Sequence, residues 1–187
     1  MLREKLILAS RSPRRAEILS AVGWTFEAMP ADIDENILSG EDAVTYVQRL
    51  ARAKAETVAA RVGSGFVLGA DTTVVVDAEI LGQPRDDDDA RRMLELLSGR
   101  WHEVVTGVAL ARMGSDVRVS YQTTRVRFAE LSREEIDWYV ASGEPQGKAG
   151  AYGIQGKAAL FISEIQGDYF NVVGLPVRLV FEMFDKL

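Results

Sequence analysis

The chain has 187 residues, 47% of them hydrophobic and 27% charged, with a formal net charge of −6 and no cysteine. That length suffices for one sizeable core, and without cysteine there can be neither a disulfide nor a thiolate metal site, which fits a reducing, cytoplasmic compartment. The acidic balance argues against nucleic acid as a partner, leaves a small phosphorylated ligand open, and no apolar run reaches the ~20 residues that would span a membrane.

The start MLREKLILASRSPRR carries charges on both sides of a short apolar run, so no signal peptide is expected. Lys5 to Ser10 reads as a buried strand, followed by a helix from Pro13 to about Val22 with Ser12 as N-cap and Ile18, Leu19 and Val22 inward. Glu41 to about Val62 is a longer helix with the stripe Val44, Val47, Ala51 and Val58. Phe66 to Val76 is a strand, and Asp77 to Glu79 turns into a short strand at Ile80–Leu81. Asp86 to Leu97 forms a third helix closed by Ser98 and Gly99. Val104 to Ala111 and Arg118 to Phe128 are strands paired across a loop around Gly114. Ser132 and Glu135 make a capping box for a helix to about Ala141. Ala159 to Ile165 and Tyr169 to Val173 are expected to form a hairpin, with a terminal helix after Pro176. Early strand–helix alternation and late hairpins imply a mixed sheet flanked by helices, in a single folding unit over 1–187.

Several residues are candidates for chemistry, each with a structural reading beside it. SRSPRR, Ser10 to Arg15, follows the first strand and opens a helix, whose free N–H groups and partial positive charge attract anions. Two arginines there are either solvated beside a plain cap or part of a phosphate site. Lys54 lies on the apolar stripe of the second helix, so its stem either runs to water or directs an ammonium into a cleft. Asp71 stands mid-strand in FVLGADTTVVV, where a carboxylate is costly unless paired or facing a cavity. Gly69, two residues earlier on the same face, would leave room for a ligand.

Other features are read as structural. Asp86–Asp89 complement a helix dipole, with a metal cluster as the alternative. His102 is the sole histidine, which disfavours a Ser–His–Asp triad or a multi-histidine metal site. The three tryptophans are read as core. ADIDE, Ala31 to Glu35, is a surface loop that could also supply oxygen ligands to Mg²⁺. KAGAYGIQG, Lys148 to Gly156, is a glycine-rich loop whose Gln155 amide could offer donor and acceptor to a base edge.

Taken in order, LILASRSPRR, the acidic loop ending at Glu35, LARAKA, GADTTV, LGQPRD, LSGRWHEVVTGVAL, EPQGKAGAYGIQG and GDYFNVVGLP resemble the Maf family of nucleoside triphosphate pyrophosphatases. The AYGIQG form is similar to the branch acting on dTTP and UTP rather than to the branch preferring 7-methyl-GTP. The resemblance implies the mixed α/β fold of inosine triphosphate pyrophosphatases, with two lobes around a cleft, and a homodimer. It implies hydrolysis of a nucleoside triphosphate to monophosphate and pyrophosphate with Mg²⁺ or Mn²⁺. By the same resemblance Asp71 is the proton acceptor, Asp71 and Glu35 hold the metal, and Ser10, Arg14, Arg15, Lys54, Thr72, Lys148 and Gln155 meet the substrate. The sequence departs from the family pattern at Gln83, where lysine is usual, and at Gly147, where an acidic residue is usual. A pyrophosphatase for non-canonical purine nucleotides and a non-catalytic nucleotide-binding regulator are the competing expectations.

Overall fold

The computed structural model describes residues 5–112 and 116–185; the turn expected around Gly114 lies outside the described residues. Among the described residues, seven strands form one mixed sheet. Its order is β2 (Phe26–Ala28), β1 (Leu6–Ala9), β3 (Phe66–Val76), β5 (Trp101–Arg112), β6 (Arg118–Phe128), β7 (Ile162–Gln166), with β4 (Glu79–Leu81) paired on β3. The chain divides into two compact units. The first is Met1–Asp71, Thr106–Gln122 and Gly174–Leu187; the second is Thr72–Val105 and Thr123–Val173.

In the first unit β1 runs parallel to β2 and to the start of β3, with Leu6 opposite Phe66 and Ala9 opposite Gly69. Parallel strands are covered on both faces, so Phe66 to Asp71 are all buried rather than alternately exposed. Helix α1 (Pro13–Ala21) follows β1 after three residues, with Pro13 at its first position. Ser12 occupies the cap position, but its hydroxyl makes no capping bond; instead its N–H donates to the Oγ of Ser10 at 3.1 Å. Ile18 and Leu19 are buried as expected, whereas Val22 lies beyond the helix and is exposed.

Helix α2 (Ala43–Ala59) starts two residues later than the pattern suggested, because Asp42 caps it by accepting from the N–H groups of Val44 and Thr45. Its buried face comprises Tyr46, Val47, Leu50, Ala51, Lys54, Ala55 and Val58, of which Ala51, Ala55 and Val58 pack with Ile7, Ala9, Val67, Ala109 and Ala111. Two strand glycines seat this helix. A Cβ on Gly69 would lie 2.1 Å from the carbonyl oxygen of Ala51, and one on Gly107 2.3 Å from that of Val47. The space beside Gly69 therefore holds helix backbone and not a ligand, which corrects the expectation drawn from the sequence.

The second unit has its own core, in which Val74, Val76, Leu94, Leu97, Val126, Phe128, Tyr139 and Phe161 pack together. Helix α3 (Asp87–Leu97) is capped by Asp86, and α4 (Arg133–Ala141) by the reciprocal Ser132–Glu135 box. The expected hairpin does not form. β7 pairs antiparallel with β6, placing Val126 opposite Ile165, and Tyr169–Val173 is instead a short helix, α5. One local and two long-range side-chain bonds hold this segment. Asp168 accepts from the N–H of Phe170 at 2.8 Å, and the buried Asn171 donates from Nδ2 to the carbonyl of Val104 and to Thr124 Oγ1. Helix α6 (Val177–Asp185) follows Pro176 in the first unit. Of the tryptophans, Trp24 and Trp101 are partly buried, while Trp138 is exposed beneath the Lys157 ammonium, not in the core.

Candidate active site

The first unit gathers three of the expected residues around one charge. Lys54, on the buried face of α2, places Nζ 2.6 Å from Oδ1 of Asp71 and 2.8 Å from Oε1 of Glu35. The reach depends on the glycine seat, since only a closely packed α2 brings a lysine on its inner face onto the end of this β3 segment. The Lys54 and Asp71 side chains are 10% and 11% exposed, whereas that of Glu35 is 50% exposed, so the cluster opens on the Glu35 side. Burial pushes the Asp71 carboxyl up from the ordinary range, against the opposing pull of Lys54 and Arg15.

The loop carrying Glu35 is tied to α2. The Tyr46 hydroxyl donates to the carbonyl of Glu35 at 3.0 Å, and Arg49 donates to both carboxylate oxygens of Glu41 and to the carbonyl of Asn36. Burial, reinforced by the nearby Asp71 and Glu35 carboxylates, pushes the Tyr46 phenol up to about 12, so it stays a donor near neutral pH. Tyr46 was not anticipated from the sequence. Its signal was there, because Tyr46, Leu50 and Lys54 recur every four residues and share one helix face.

At the start of α1 the two arginines differ. Arg15 is buried, donating from Nε to the carbonyl of Gly174 at 2.7 Å and from a terminal nitrogen to Ser10 Oγ at 3.0 Å. Desolvation draws its pKa down, partly offset by the charge of Asp71. Arg14 is only partly buried. Thus Arg15 organises the strand-to-helix turn, and Arg14 is the more accessible of the pair.

The remaining expected residues belong to the second unit. Thr72 is partly exposed and directly follows Asp71 along β3. Lys148 donates from Nζ to the carbonyl of Glu144, and Gln155 stands exposed on a turn closed by the N–H of Gly156 bonding to the carbonyl of Gly153. Gln83 is exposed. Gly147 has φ 70°, a left-handed conformation in which glycine costs nothing and an acidic residue would be strained. Nearby, His102 is buried with Nε2 2.8 Å from the Tyr152 hydroxyl, and burial lowers its pKa to about 4. It sits within an aromatic cluster with Phe128 and Tyr152, which accounts for it structurally.

The donor chemistry fits a hard divalent cation. Two carboxylates, those of Asp71 and Glu35, are held close together by one ammonium, while the protein supplies no cluster of three or more such ligands among the described residues. Such a pair suits Mg²⁺ or Mn²⁺ completed by phosphate oxygens and water.

Residues 5–187 match the family described as Maf-like protein. The chain belongs to the Maf family. Curated relatives of this Maf chain include a dTTP/UTP pyrophosphatase of Symbiobacterium thermophilum, 53% identical over 98% of this chain and 94% of its own. Another from Koribacter versatilis is 52% identical over 97% and 93%, and one from Geotalea uraniireducens is 53% identical over 99% and 96%. The Maf fold is also similar to two solved structures. A HAM1 protein from Coxiella burnetii covers 97% of this chain and 99% of that one, with TM-score 0.53 and 18% identity. The Staphylococcus aureus Ham1 protein covers 75% and 98%, with TM-score 0.50 and 14% identity. Those two likenesses concern the fold alone, and they match the mixed sheet flanked by helices expected from the sequence.

Proposed function

We propose that this Maf-family chain is a nucleoside triphosphate pyrophosphatase that hydrolyses dTTP and UTP to the nucleoside monophosphate and pyrophosphate. The substrates follow from relatives more than 50% identical over nearly the full chain. The observation that carries the chemistry is the buried Asp71 carboxylate, joined through Lys54 to the more exposed Glu35.

A triphosphate brings close to four negative charges, and Arg14, Arg15, Lys54 and Lys148 are assigned to offset them, with the Ser10 hydroxyl and the positive end of the α1 dipole adding to the attraction. Asp71 and Glu35 would hold Mg²⁺ or Mn²⁺, whose chemistry when bound is to polarise the phosphoryl group and acidify water. Asp71 orients the attacking water and accepts its proton; the water oxygen bonds to the α phosphorus as the bond to the bridging oxygen breaks and pyrophosphate leaves. Lys54 has a double role in this scheme. It holds the two carboxylates in register and presents its ammonium where phosphate charge accumulates. Thr72 and Gln155 are assigned to the choice of base, the Gln155 amide matching the donor–acceptor edge of uracil and thymine. A cytoplasmic homodimer is the state in which we place the enzyme.

The test is a nucleotide panel with Mg²⁺ or Mn²⁺, scored by pyrophosphate release for the wild type and Asp71→Asn. Asp71→Asn is expected to lower turnover by ~10²–10⁴-fold while nucleotide still binds. Reaction in ¹⁸O-water should label the monophosphate. Faster turnover of inosine triphosphate or 7-methyl-GTP than of dTTP would move the enzyme to the purine reading, and full activity of Asp71→Asn would remove that residue from the mechanism.

A further inference from the structure

The turn that carries Gln155 is clamped at both ends by two residues, Tyr139 and Glu144, to which the sequence alone assigned no role in the site. At its start, the N–H of Gly153 donates to the Tyr139 hydroxyl at 3.3 Å. At its end, the N–H of Lys157 donates to Oε2 of Glu144 at 3.1 Å. The two clamps are joined to each other, since the Tyr139 hydroxyl donates to Oε1 of Glu144 at 3.2 Å. Tyr139 is fully buried on α4, so the anchor is rigid.

The packing around this anchor leaves little freedom. A Cβ on Gly156 would lie 2.2 Å from Oε1 of Glu144, so the turn lies directly on the carboxylate. A Cβ on Gly153 would lie 2.8 Å from Cε of Lys148, whose ammonium is held by the backbone carbonyl of Glu144. One residue thus ties down two others: its side chain fixes the Gln155 turn and its carbonyl fixes Lys148. This also accounts for the absence of an acidic residue at position 147, because Lys148 is held without one.

The geometry points to Glu144 as a positioning residue that, through the N–H of Lys157 and the hydroxyl of Tyr139, holds Gln155 in the orientation needed to read a pyrimidine base. This assignment rests on the reading of Gln155 given above. Glu144 need not touch substrate; its effect passes through the turn. An acidic residue suits this place because it accepts two hydrogen bonds and an amide N–H given to a carboxylate is stronger than one given to a neutral oxygen.

A double-mutant cycle separates the two ideas. Gln155→Ala is expected to lower kcat/KM for dTTP and UTP by about tenfold, with less effect on the purine triphosphates. Glu144→Ala should raise KM for dTTP and UTP by about 3–10-fold while kcat changes little, and should erode the same selectivity. In the Gln155→Ala background, Glu144→Ala should add almost nothing. Glu144→Gln, which keeps an oxygen for the Lys157 N–H, should restore most of the wild-type KM. Amide exchange adds a readout independent of turnover, since Lys157 should lose protection in Glu144→Ala while α4 keeps its own. If Glu144→Ala fails to fold, Tyr139→Phe loosens the other end of the same turn and should show the same KM signature. An unaltered selectivity in Gln155→Ala overturns the reading of Gln155. A normal KM in Glu144→Ala beside an impaired Gln155→Ala, or additive effects in the double variant, overturns the role of Glu144.

Discussion

Among single residues, the buried titratable groups behave differently according to what surrounds them. Asp71 keeps company with Lys54 and Arg15, so its burial is partly compensated by opposite charge, while the Glu35 carboxylate beside it acts in the same direction as burial. His102 has no such compensation. Its ring is packed edge-on against Phe128 and Tyr152, one nitrogen faces the Tyr152 hydroxyl, and burial alone lowers its pKa from 6.5 to about 4. The folded state therefore refuses a proton that the unfolded chain accepts near pH 6.5. His102 thus contributes stability that is fully present above pH 6.5 and is lost as pH falls toward 4, to a total of about 3 kcal/mol. Urea midpoints of the wild type should fall more steeply between pH 7 and pH 4 than those of His102→Phe. Parallel curves for the two proteins would show that His102 is not the source.

Elements are placed chiefly by close approaches that a side chain would prevent. Helix α2 rests on Gly69 and Gly107, and Lys54 meets Asp71 only at that distance. Gly69→Ala brings a methyl group within 2.1 Å of a helix carbonyl, which backbone cannot absorb without moving. The substitution should cost about 1–3 kcal/mol or more, measured as a lower urea midpoint, and should impair turnover in whatever fraction remains folded. Unchanged stability would mean that α2 can shift freely. The α5 segment makes a related point. The stretch YFNVV has the composition of a strand, yet it is helical, with Asp168 bonded to the N–H of its second residue and Asn171 tied to Val104 and Thr124.

For the whole molecule, the net charge of −6 makes cations a local resource, concentrated where the fold gathers them. Arg14 and Arg15 oppose the α1 dipole, a cost an anionic ligand would remove, so nucleotide should stabilise the folded chain. A non-hydrolysable dTTP analogue at a hundred times its Kd should add about 2.7 kcal/mol, a rise of roughly 5–10 °C in Tm. Arg14→Ala, being the more accessible arginine, should cut that rise by about half if it weakens binding tenfold. An identical rise in the variant would place the phosphates away from α1.

Much of this was legible in the order of residues alone. β3 and β6 appear over the expected residues, and the Ser132–Glu135 box stands where its spacing placed it, because caps and periodicities are local and need no partner. The candidate residues were legible for a different reason. A mid-strand aspartate, a lysine on an apolar stripe and arginines at a helix start are each costly unless something pays them back. What the sequence could not reveal is which partner each one takes. That Lys54 joins Asp71 to Glu35, that Arg15 turns to Gly174, and that Glu144 holds the Gln155 turn are contacts between residues up to 159 positions apart. Only the packed backbone sets those distances, and the room beside Gly69, which looked like space for a ligand, is where that backbone passes.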